Sequence, residues 1–435
     1  MKFGIFLELQ HPRPWTPGSE QQLFQNAIEQ IELADELGID YVWEVEHHFL
    51  EEYSHSSAPE IVLAAAARNT KRIRLGHGIV AMPPNYNHPA RVAERIATLD
   101  LVSGGRVEFG TGETASRSEL EGYGVPLEHK RAMWLEATEQ AANMLALAPY
   151  PGYEGKYFSM PCRNVIPKAV QRPHPAMWMA CSNREAVKLA GRLGLGVLCF
   201  SFLPPGEVGA WIDDYYDAIK TECVPIGHFV NANFAIAEPL CLGHDGDEAF
   251  ERALPNRLFF STGVAHFYVA GRHTPGRTNL WNIFEDARER LEAEHTRRRP
   301  SCIGTPEEAS EAIRLLVKAG ADQVMLGAQA GRSTHEEICD SLRLFAEEVM
   351  PEFKSEAEEE RQARKQEELA PYIEAALERK EWMQPLADDE IPSFEPFERA
   401  IAQSGQAAVN QLEPDSFQAL SKDLITRAGV VPEER

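Results

Sequence analysis

Long apolar runs are missing from this 435-residue chain. No stretch approaches the roughly 20 consecutive apolar residues that a membrane-spanning helix needs. The opening segment MKFGIFLEL has one early lysine, but Glu8 interrupts its apolar residues and no cleavage-type small residues follow. We interpret it as a first strand rather than a signal peptide. The sequence therefore predicts a cytoplasmic protein with no membrane segment.

Basic residues are also scarce. The chain has 43 Lys and Arg against 67 Asp and Glu, which gives a formal net charge of -24. Nucleic-acid-binding proteins and proteins that bind anionic membrane surfaces normally carry a basic face, so the composition argues against both kinds of partner. The seven cysteines are scattered and form no CxxC pair, which is typical of reduced thiols in a reducing compartment.

Several signatures of catalytic or binding sites are absent as well. The chain contains no HExxH or HxH pattern, no P-loop and no GxSxG nucleophile elbow. These absences argue against a zinc protease, a P-loop nucleotide site and a serine hydrolase of the elbow type. We predict no metal site.

What the chain does contain is an alternation of short apolar runs with amphipathic, helix-like stretches. One helix start is explicit: Thr305 is a predicted N-cap, Pro306 follows at the first helical position, and Glu308 completes a capping box. Eight strand–helix repeats favour a closed (β/α)8 TIM barrel within the α/β class, with an open doubly wound sheet plus extra domains as the alternative. The predicted strands are Phe3–Leu9, Tyr41–Glu46, Ile73–Met82, Val107–Gly110, Ala176–Ala180, Gly196–Phe202, Asn233–Leu240 and Gln323–Gly327.

Two segments interrupt this rhythm. Residues 243–305, between the seventh and eighth strands, are too many for an ordinary crossover, and they are either a lid over the barrel mouth or a surface insertion. The segment after Pro351 is highly charged and helix-prone. The sequence thus predicts a barrel over residues 1–353 and a charged helical C-terminal extension over residues 354–435, either solvated or an arm on a partner subunit.

The second strand ends in three adjacent ionisable residues, Glu46, His47 and His48. In a barrel of this kind the carboxyl ends of the strands form the active-site mouth. Because adjacent side chains of a strand point to opposite sides, His47 and His48 are expected to have different roles. Histidine suits proton transfer near neutral pH; two hydrogen-bonded structural histidines are the alternative.

Glycines and helix starts suggest a ligand near the other strand ends. Gly78 follows the third strand and Gly112 the fourth, and bare backbone suits a flat ligand, although turns explain such glycines as often. After the fifth strand, Ser182 and Asn183 open a helix whose free N–H groups and dipole favour a phosphate, and Arg131 opens another helix. An ordinary N-cap is the alternative for Asn183.

Several segments in order resemble bacterial luciferase and its relatives, the luciferase-like flavin-dependent monooxygenases. The first strand MKFGIFLEL, the second-strand end VWEVEHHF and the fourth-strand segment LDLVSGGRVEFGTGE are similar to the corresponding parts of that family. The last barrel unit IGTPEEASEAIRLLVKAGADQVMLG and the closing helix SLRLFAEEVMP also resemble it. The resemblance covers about residues 1–353.

The resemblance implies a TIM barrel that binds FMN at its C-terminal mouth. His47 matches the histidine regarded as the catalytic proton-transfer residue, and His48 matches its neighbour. The turn Gly78–Ile79 matches the segment that holds the isoalloxazine, where relatives often have a cis peptide bond that does not precede proline. The other implied cofactor contacts are the phosphate ligands Arg131, Cys181, Ser182 and Asn183 and, beside the ring, Gly112, Cys199 and Phe200.

The chain departs from the family pattern at two acidic positions. Glu113 falls where luciferase has an arginine that helps to hold the phosphate, and Glu185 falls near another phosphate ligand. Phosphate binding must therefore depend on Arg131 and the loop after the fifth strand. Glu8 and Glu113 are expected to line the mouth with His47, which favours a polar or cationic, aromatic substrate over a long aldehyde.

The function that the resemblance implies is that of a two-component monooxygenase. A separate flavin reductase would deliver FMNH2 by diffusion, O2 would add to the flavin to form a C(4a)-peroxyflavin, and one oxygen atom would enter a small organic substrate. Relatives are usually dimers, so a homodimer is expected. The alternatives are a deazaflavin-dependent oxidoreductase of the same fold, a non-catalytic flavin-binding protein and a metal-dependent barrel hydrolase.

Overall fold

The computed structural model describes residues 1–200, 205–294 and 300–393. The chain forms two compact units, Met1–Pro385 and Leu386–Arg435. Three parts of the sequence predictions lie outside the described residues: residues 201–202 of the sixth strand, residues 295–299 of the insertion, and residues 394–435 of the C-terminal extension.

The barrel of the first unit is built on parallel strands, and β6 and β7 form a separate antiparallel pair. In the described residues the strands are β1 (Lys2–Leu7), β2 (Tyr41–Glu44), β3 (Arg74–His77), β4 (Val80–Ala81), β5 (Val107–Gly112), β6 (Tyr150–Glu154), β7 (Ser159–Arg163), β8 (Ala176–Cys181), β9 (Gly196–Cys199), β10 (Phe234–Leu242), β11 (Cys302–Gly304) and β12 (Gln323–Gly327). Strands β1, β2, β3, β5, β8, β9, β10 and β12 pair in that order, and β12 pairs in parallel with β1, which closes the barrel. The predicted (β/α)8 barrel is confirmed.

Helices surround the barrel. Several begin and end as their sequences dictate: Thr305 forms the predicted capping box with Glu308, and Gly38 ends the first helix in the left-handed region, at φ 83°. The helices are α1 (Ser19–Leu37), α2 (Pro59–Asn69), α3 (Pro89–Ser103), α4 (Arg117–Gly122), α5 (Lys130–Ala146), α6 (Arg184–Arg192), α7 (Pro205–Glu222), α8 (Gly246–Ala265), α9 (Leu280–Glu294), α10 (Pro306–Ala319), α11 (His335–Leu344), α12 (Met350–Phe353) and α13 (Glu356–Arg379).

Shorter helical turns complete the unit. A 3-10 turn follows β2 (Glu51–Tyr53), and two π-helical turns extend α8 (His266–Ala270) and α11 (Phe345–Val349). In the described part of the chain, no helix is both long and apolar enough to cross a membrane.

Side chains of the barrel strands alternate between the interior and the helical layer. Phe6, Trp43 and Trp178 belong to a compact apolar cluster inside the barrel, whereas Phe3 and Ile5 belong to the larger core beneath the helices. Bulky side chains therefore fill the barrel interior, and the side chains beyond the carboxyl ends of the strands form its mouth.

The segment 243–305 carries α8, the π-helical turn, α9 and β11, and it packs against the turn that follows β2. Leu50 and Tyr53 of that turn share a buried apolar cluster with Phe259, Phe267 and Trp281 of the segment. This packing places the segment beside the mouth. Its role as a lid stays a prediction.

Helix α13, in the predicted extension, packs at the amino end of the barrel strands. Lys365 lies 2.6 Å from the buried carboxylate of Asp322, the residue before β12, and Leu369 and Ala376 are buried. Helix α13 belongs to the same compact unit as the barrel. The predicted boundary between a barrel and an extension at residue 353 stays a prediction.

Candidate active site at the barrel mouth

The side chains that follow β1 and β2 meet at the mouth. Glu8 continues the inward face on which Phe6 lies, and His47 continues the face of Trp43. The backbone of His47 is held because its N–H donates to the carbonyl of Ser56 over 2.8 Å. The two inward side chains consequently form an ion pair, with His47 Nε2 3.3 Å from Glu8 Oε1.

The other ring nitrogen of His47 is held by more distant parts of the chain. Its Nδ1 lies 3.1 Å from Oε1 of Glu119 on α4 and 3.4 Å from the hydroxyl of Tyr268 in the π-helical turn. The rings of Tyr53 and Tyr268 lie edge-on to the imidazole. His47 thus has a carboxylate at each ring nitrogen and aromatic side chains around it.

This environment shifts the pKa of both members of the pair. Burial alone would lower the pKa of His47, but the charges of Glu119 and Glu8 outweigh burial and raise it to about 9. For Glu8, burial raises the carboxyl pKa to about 7 although His47 opposes the shift. A group that binds a proton firmly therefore lies beside one that exchanges a proton near neutral pH, an arrangement typical of acid–base sites.

His48 points into a different network, as the alternation of side chains predicts. Its Nε2 lies 3.0 Å from Glu46 Oε1, and its Nδ1 lies 3.1 Å from the hydroxyl of Tyr123. Glu46 is fixed in turn by the N–H of Ala81 over 2.9 Å. Glu119 joins the two histidines, because its Oε1 also accepts the backbone N–H of His48 over 3.0 Å.

Three residues of this site were not predicted from the sequence: Glu119, Tyr123 and Tyr268. Glu119 and Tyr123 lie in or next to a short helix, 72 and 75 positions from their histidine partners. No local pattern distinguishes them from surface residues of that helix. Tyr268 lies within the insertion that the sequence singled out as a candidate lid, which was the one available signal.

The glycines of the mouth make room for neighbouring protein atoms. A Cβ on Gly76 would lie 2.3 Å from the indole of Trp43, and one on Gly112 would lie 2.6 Å from Cδ1 of Ile79. Gly78 donates its N–H to the carbonyl of Glu44 over 2.6 Å. Close packing against neighbouring side chains therefore accounts for glycine at positions 76 and 112.

The cis peptide bond that the resemblance suggested near Gly78–Ile79 is absent. The four cis peptide bonds in the described ranges all precede proline, and none lies in the turn after β3.

The predicted phosphate ligands lie around the start of α6 and the start of α5. Arg131 forms a two-point ion pair with Glu113, at 2.9 and 2.7 Å, and Lys130 Nζ lies 3.5 Å from the same carboxylate. Glu113 therefore forms ion pairs with both basic residues. A guanidinium and an ammonium group suit a phosphate, which would compete with Glu113 for them.

The loop after β8 leads into the start of α6. Asn183 is the N-cap of α6, and its side-chain oxygen accepts the N–H of Ala186 over 2.9 Å, the alternative that the sequence left open. Ser182 is exposed and Cys181 is fully buried. Glu185 is 76% exposed and lies near Lys188, so its carboxylate remains in solvent.

Cys199 and Phe200 lie beside this loop at the end of β9. Cys199 is opposite Cys181 in the strand register, and the N–H of Phe200 donates to the carbonyl of Cys181 over 3.1 Å. The ring of Phe200 lies 5.1 Å from that of Phe6. The structure thus groups the predicted residues into an imidazole–carboxylate cluster around His47 and a basic cluster around Arg131.

Curated relatives of the chain include named monooxygenases. The chain is 27% identical over 366 residues to 4-hydroxyprotoasukamycin monooxygenase of Streptomyces nodosus subsp. asukaensis, covering 81% of this chain and 92% of the relative. It is 22% identical over 365 residues to the oxygenase component of flavin-dependent trigonelline monooxygenase of Acinetobacter baylyi, covering 83% and 98%.

Solved structures share the fold. Monooxygenase RslO1 of Streptomyces bottropensis superposes with a TM-score of 0.67 and 28% identity, over 81% of this chain and all of that chain. The 3,6-diketocamphane monooxygenase component of Pseudomonas putida, in complex with FMN, gives a TM-score of 0.61 at 20% identity, over 81% and 98%. An F420-dependent secondary alcohol dehydrogenase also gives 0.61, at 18% identity, over 80% and 98%.

A family described as luciferase-like monooxygenase matches residues 1–323, which include the whole imidazole–carboxylate cluster and the basic cluster. This match covers well over half of the 435 residues. The chain therefore belongs to the luciferase-like monooxygenase family and is a flavin-dependent enzyme of that family.

Proposed function

We propose that this enzyme is the oxygenase of a two-component system that takes reduced FMN from a separate reductase and transfers one atom of O2 to a small organic substrate. The observation that carries the proposal is His47, held at the barrel mouth between Glu119 and Glu8. The name of the Acinetobacter relative, an oxygenase component, and the FMN complex of the Pseudomonas neighbour support the cofactor and the partner.

The residues present fit FMN. Arg131 and Lys130 supply cations for a phosphate, with Cys181, Ser182 and Asn183 in the adjoining loop. Gly78, Ile79, Gly112, Cys199 and Phe200 would border the ring. When bound, reduced FMN supplies the electrons that activate O2. His47 would hold or release a proton at Nε2, the nitrogen that faces Glu8, while Glu119 fixes Nδ1; His48 supports this geometry through the shared carboxylate of Glu119.

In the proposed function, the insertion covers the barrel mouth and keeps water out. Reduced flavin chemistry with O2 must be kept from water, because water diverts it to peroxide. Tyr268, within the insertion, approaches the imidazole directly, and Leu280 and Trp281 of α9 bind the turn after β2. The same elements that hold His47 would therefore exclude solvent.

The test is the His47→Ala variant. It should bind FMN as the wild type does, yet convert most of the consumed O2 into peroxide, with product formation reduced about 10²- to 10⁴-fold, the usual loss for an acid–base group. The control is His244→Ala, because His244 is exposed. Unchanged coupled turnover in His47→Ala would remove the catalytic role and would favour a non-catalytic flavin-binding protein.

A deazaflavin-dependent oxidoreductase is the second candidate, because one structural neighbour is an F420-dependent dehydrogenase. The two functions separate in one experiment, in which reduced FMN and reduced F420 are each mixed with the protein under air and under argon. We expect saturable binding of FMN and O2 uptake under air. Tight binding of F420 with no O2 uptake would replace the proposal.

The partners and location are also proposals. Chemically reduced FMN should replace the reductase in turnover assays, because the cofactor arrives by diffusion. The protein should fractionate with the cytoplasm and have the mass of a homodimer by light scattering. Exposed apolar side chains on the outer faces of α2 and α3, Ile61 at 67% and Val102 at 58%, are the surface that we assign to this dimer.

A further inference from the structure

One carboxylate oxygen of Glu8 lacks a hydrogen-bond donor in the described residues, although the charge of His47 lies nearby. The side chain is buried, with 3% of its surface exposed, and Oε1 lies 3.3 Å from Nε2 of His47. That approach lacks the geometry of a hydrogen bond, and Oε1 has no hydrogen-bond partner in the described residues. The backbone of Glu8 is fixed, because the hydroxyl of Ser54 donates to its carbonyl over 2.6 Å, so the carboxylate cannot move out to solvent without local rearrangement.

Two other buried carboxylates at the mouth, those of Glu52 and Glu119, receive more than one donor each. Glu52 accepts the backbone N–H groups of Arg13, Leu280 and Trp281, and Glu119 accepts the N–H of His48 and approaches Nδ1 of His47. A buried acceptor without a donor costs free energy. At Glu8 the missing donor therefore points to a molecule that binds there.

The residues around Glu8 indicate the chemical class of that molecule. Phe6 lies two residues earlier on the same inward face and contacts Phe200, and the rings of Tyr53 and Tyr268 enclose His47. These rings form an aromatic wall that suits a flat apolar ring. Two carboxylates with a single imidazole repel a further anion, so an incoming carboxylate is disfavoured.

We propose that Glu8 is a substrate-binding residue whose Oε1 accepts a hydrogen bond from an O–H or N–H group on an aromatic substrate. The proposal rests on the proposed function, since it names the substrate class of that same mouth. Substrates are aromatic molecules that carry a hydroxyl or a protonated amine, and aromatic carboxylates are rejected. The negative charge of Glu8 makes the two kinds of donor different, because it attracts a protonated amine more strongly than a neutral hydroxyl.

The experiment uses phenol, benzylammonium, toluene and benzoate as probes and measures their affinity calorimetrically for the full chain, alone and with oxidised FMN. The variants are Glu8→Leu, which removes the acceptor, and Glu8→Gln, which keeps an acceptor oxygen without charge. Glu238→Gln is the matched control, because burial likewise raises the pKa of Glu238 to about 7, while its charged neighbour is Arg257 rather than His47.

We expect phenol and benzylammonium to bind the wild type at least about tenfold more tightly than toluene or benzoate, a difference of about 1.4 kcal/mol. Glu8→Leu should abolish this preference. Glu8→Gln should retain phenol binding and weaken benzylammonium binding about tenfold, because the amide oxygen still accepts a hydrogen bond but carries no charge. Glu238→Gln should match the wild type.

Two results would overturn the proposal: a wild type that shows no preference for the donor probes, or a preference that survives in Glu8→Leu. Circular dichroism of each variant shows whether it is folded. If Glu8→Leu does not fold, unchanged benzylammonium affinity in Glu8→Gln overturns the proposal. FMN titration in the same samples separates the two claims. A wild type that binds donor probes but no FMN contradicts the proposed function and leaves this inference standing.

Discussion

The hydroxyl of Tyr268 lies 3.4 Å from Nδ1 of His47, although 221 positions separate the two residues. His47 follows the end of barrel strand β2, and Tyr268 lies in a π-helical turn of the insertion. Burial raises the pKa of the Tyr268 hydroxyl well above its ordinary value, so this hydroxyl stays protonated and polarises the imidazole without ionising. The contact joins the candidate lid to the candidate acid–base residue.

Replacing Tyr268 by Phe tests that contact. We expect a two- to tenfold loss of coupled product formation, about the worth of one neutral hydrogen bond, with a matching rise in peroxide and unchanged FMN affinity. Tyr372→Phe is the control, because Tyr372 lies on α13 and is 40% exposed. Equal product-to-peroxide ratios in the two variants would show that the hydroxyl has no role at His47.

Glu52, in the turn after β2, forms hydrogen bonds with the insertion. Its oxygens accept the N–H groups of Leu280 over 2.5 Å and Trp281 over 3.1 Å. Glu52→Gln replaces one acceptor by a donor, so we expect hydrogen exchange at these two amides to accelerate about tenfold. Mass spectrometry of the α9 peptide measures this. Glu285→Gln, on the exposed side of α9, should leave the exchange rate as it is.

The pKa of His47 is a direct test of its environment. We expect its ring to titrate near pH 9, above the ordinary 6.5, in NMR spectra of the imidazole. Glu119→Gln should lower that pKa, because the carboxylate of Glu119 is the largest influence that raises it. A His47 ring that titrates near 6.5 in the wild type would contradict the assigned ion pairs.

The raised pKa of His47 also makes the free energy of unfolding depend on pH. Since the folded pKa of His47 lies above the unfolded value, protonated His47 stabilises the fold below about pH 6.5, and this contribution is lost as the pH rises through 9. Urea denaturation of the wild type should therefore give a decreasing free energy of unfolding between these pH values. Glu119→Gln should show a shallower decrease, because its histidine pKa is shifted less.

Glu113 should weaken FMN binding. Its carboxylate engages Arg131 at two points, in a pair whose arginine is half exposed, so the effect is modest. We expect Glu113→Gln to tighten FMN binding about threefold and to leave riboflavin, which has no phosphate, unchanged. Arg131→Ala should weaken FMN alone. The control is Glu128→Gln, because Glu128 is exposed and lies three positions before Arg131. Equal effects of Arg131→Ala on FMN and riboflavin binding would show that Arg131 does not bind the phosphate.

Lys365 of α13 should matter to the stability of the barrel. It lies 2.6 Å from Asp322, whose side chain is only 4% exposed, and Asp322 also accepts the N–H of Phe234 over 2.8 Å. Lys365→Met leaves this buried charge without its cation, and we expect a loss of about 3 kcal/mol in the free energy of unfolding. Arg364→Met, at an exposed neighbouring position, should change the urea midpoint little.

Much of the architecture follows from residues close together in sequence. The capping box of Thr305 and Glu308 starts α10 where predicted, and each of the eight predicted strands overlaps a barrel strand. The predicted third strand, Ile73–Met82, is divided into β3 and β4, because the N–H of Gly78 turns to the carbonyl of Glu44. Local periodicity could not show that break, since the apolar run continues through it.

The sequence by itself determined the barrel and the position of His47 at its mouth, because side-chain alternation, helix caps and turn residues act over a few neighbouring positions. Only the tertiary structure decided which groups surround that histidine. Glu119 and Tyr268 reach it from a short helix and from the insertion, and Glu113 forms an ion pair with Arg131. Charge and proton affinity depend on distances through space, and those distances exist only once the chain has closed.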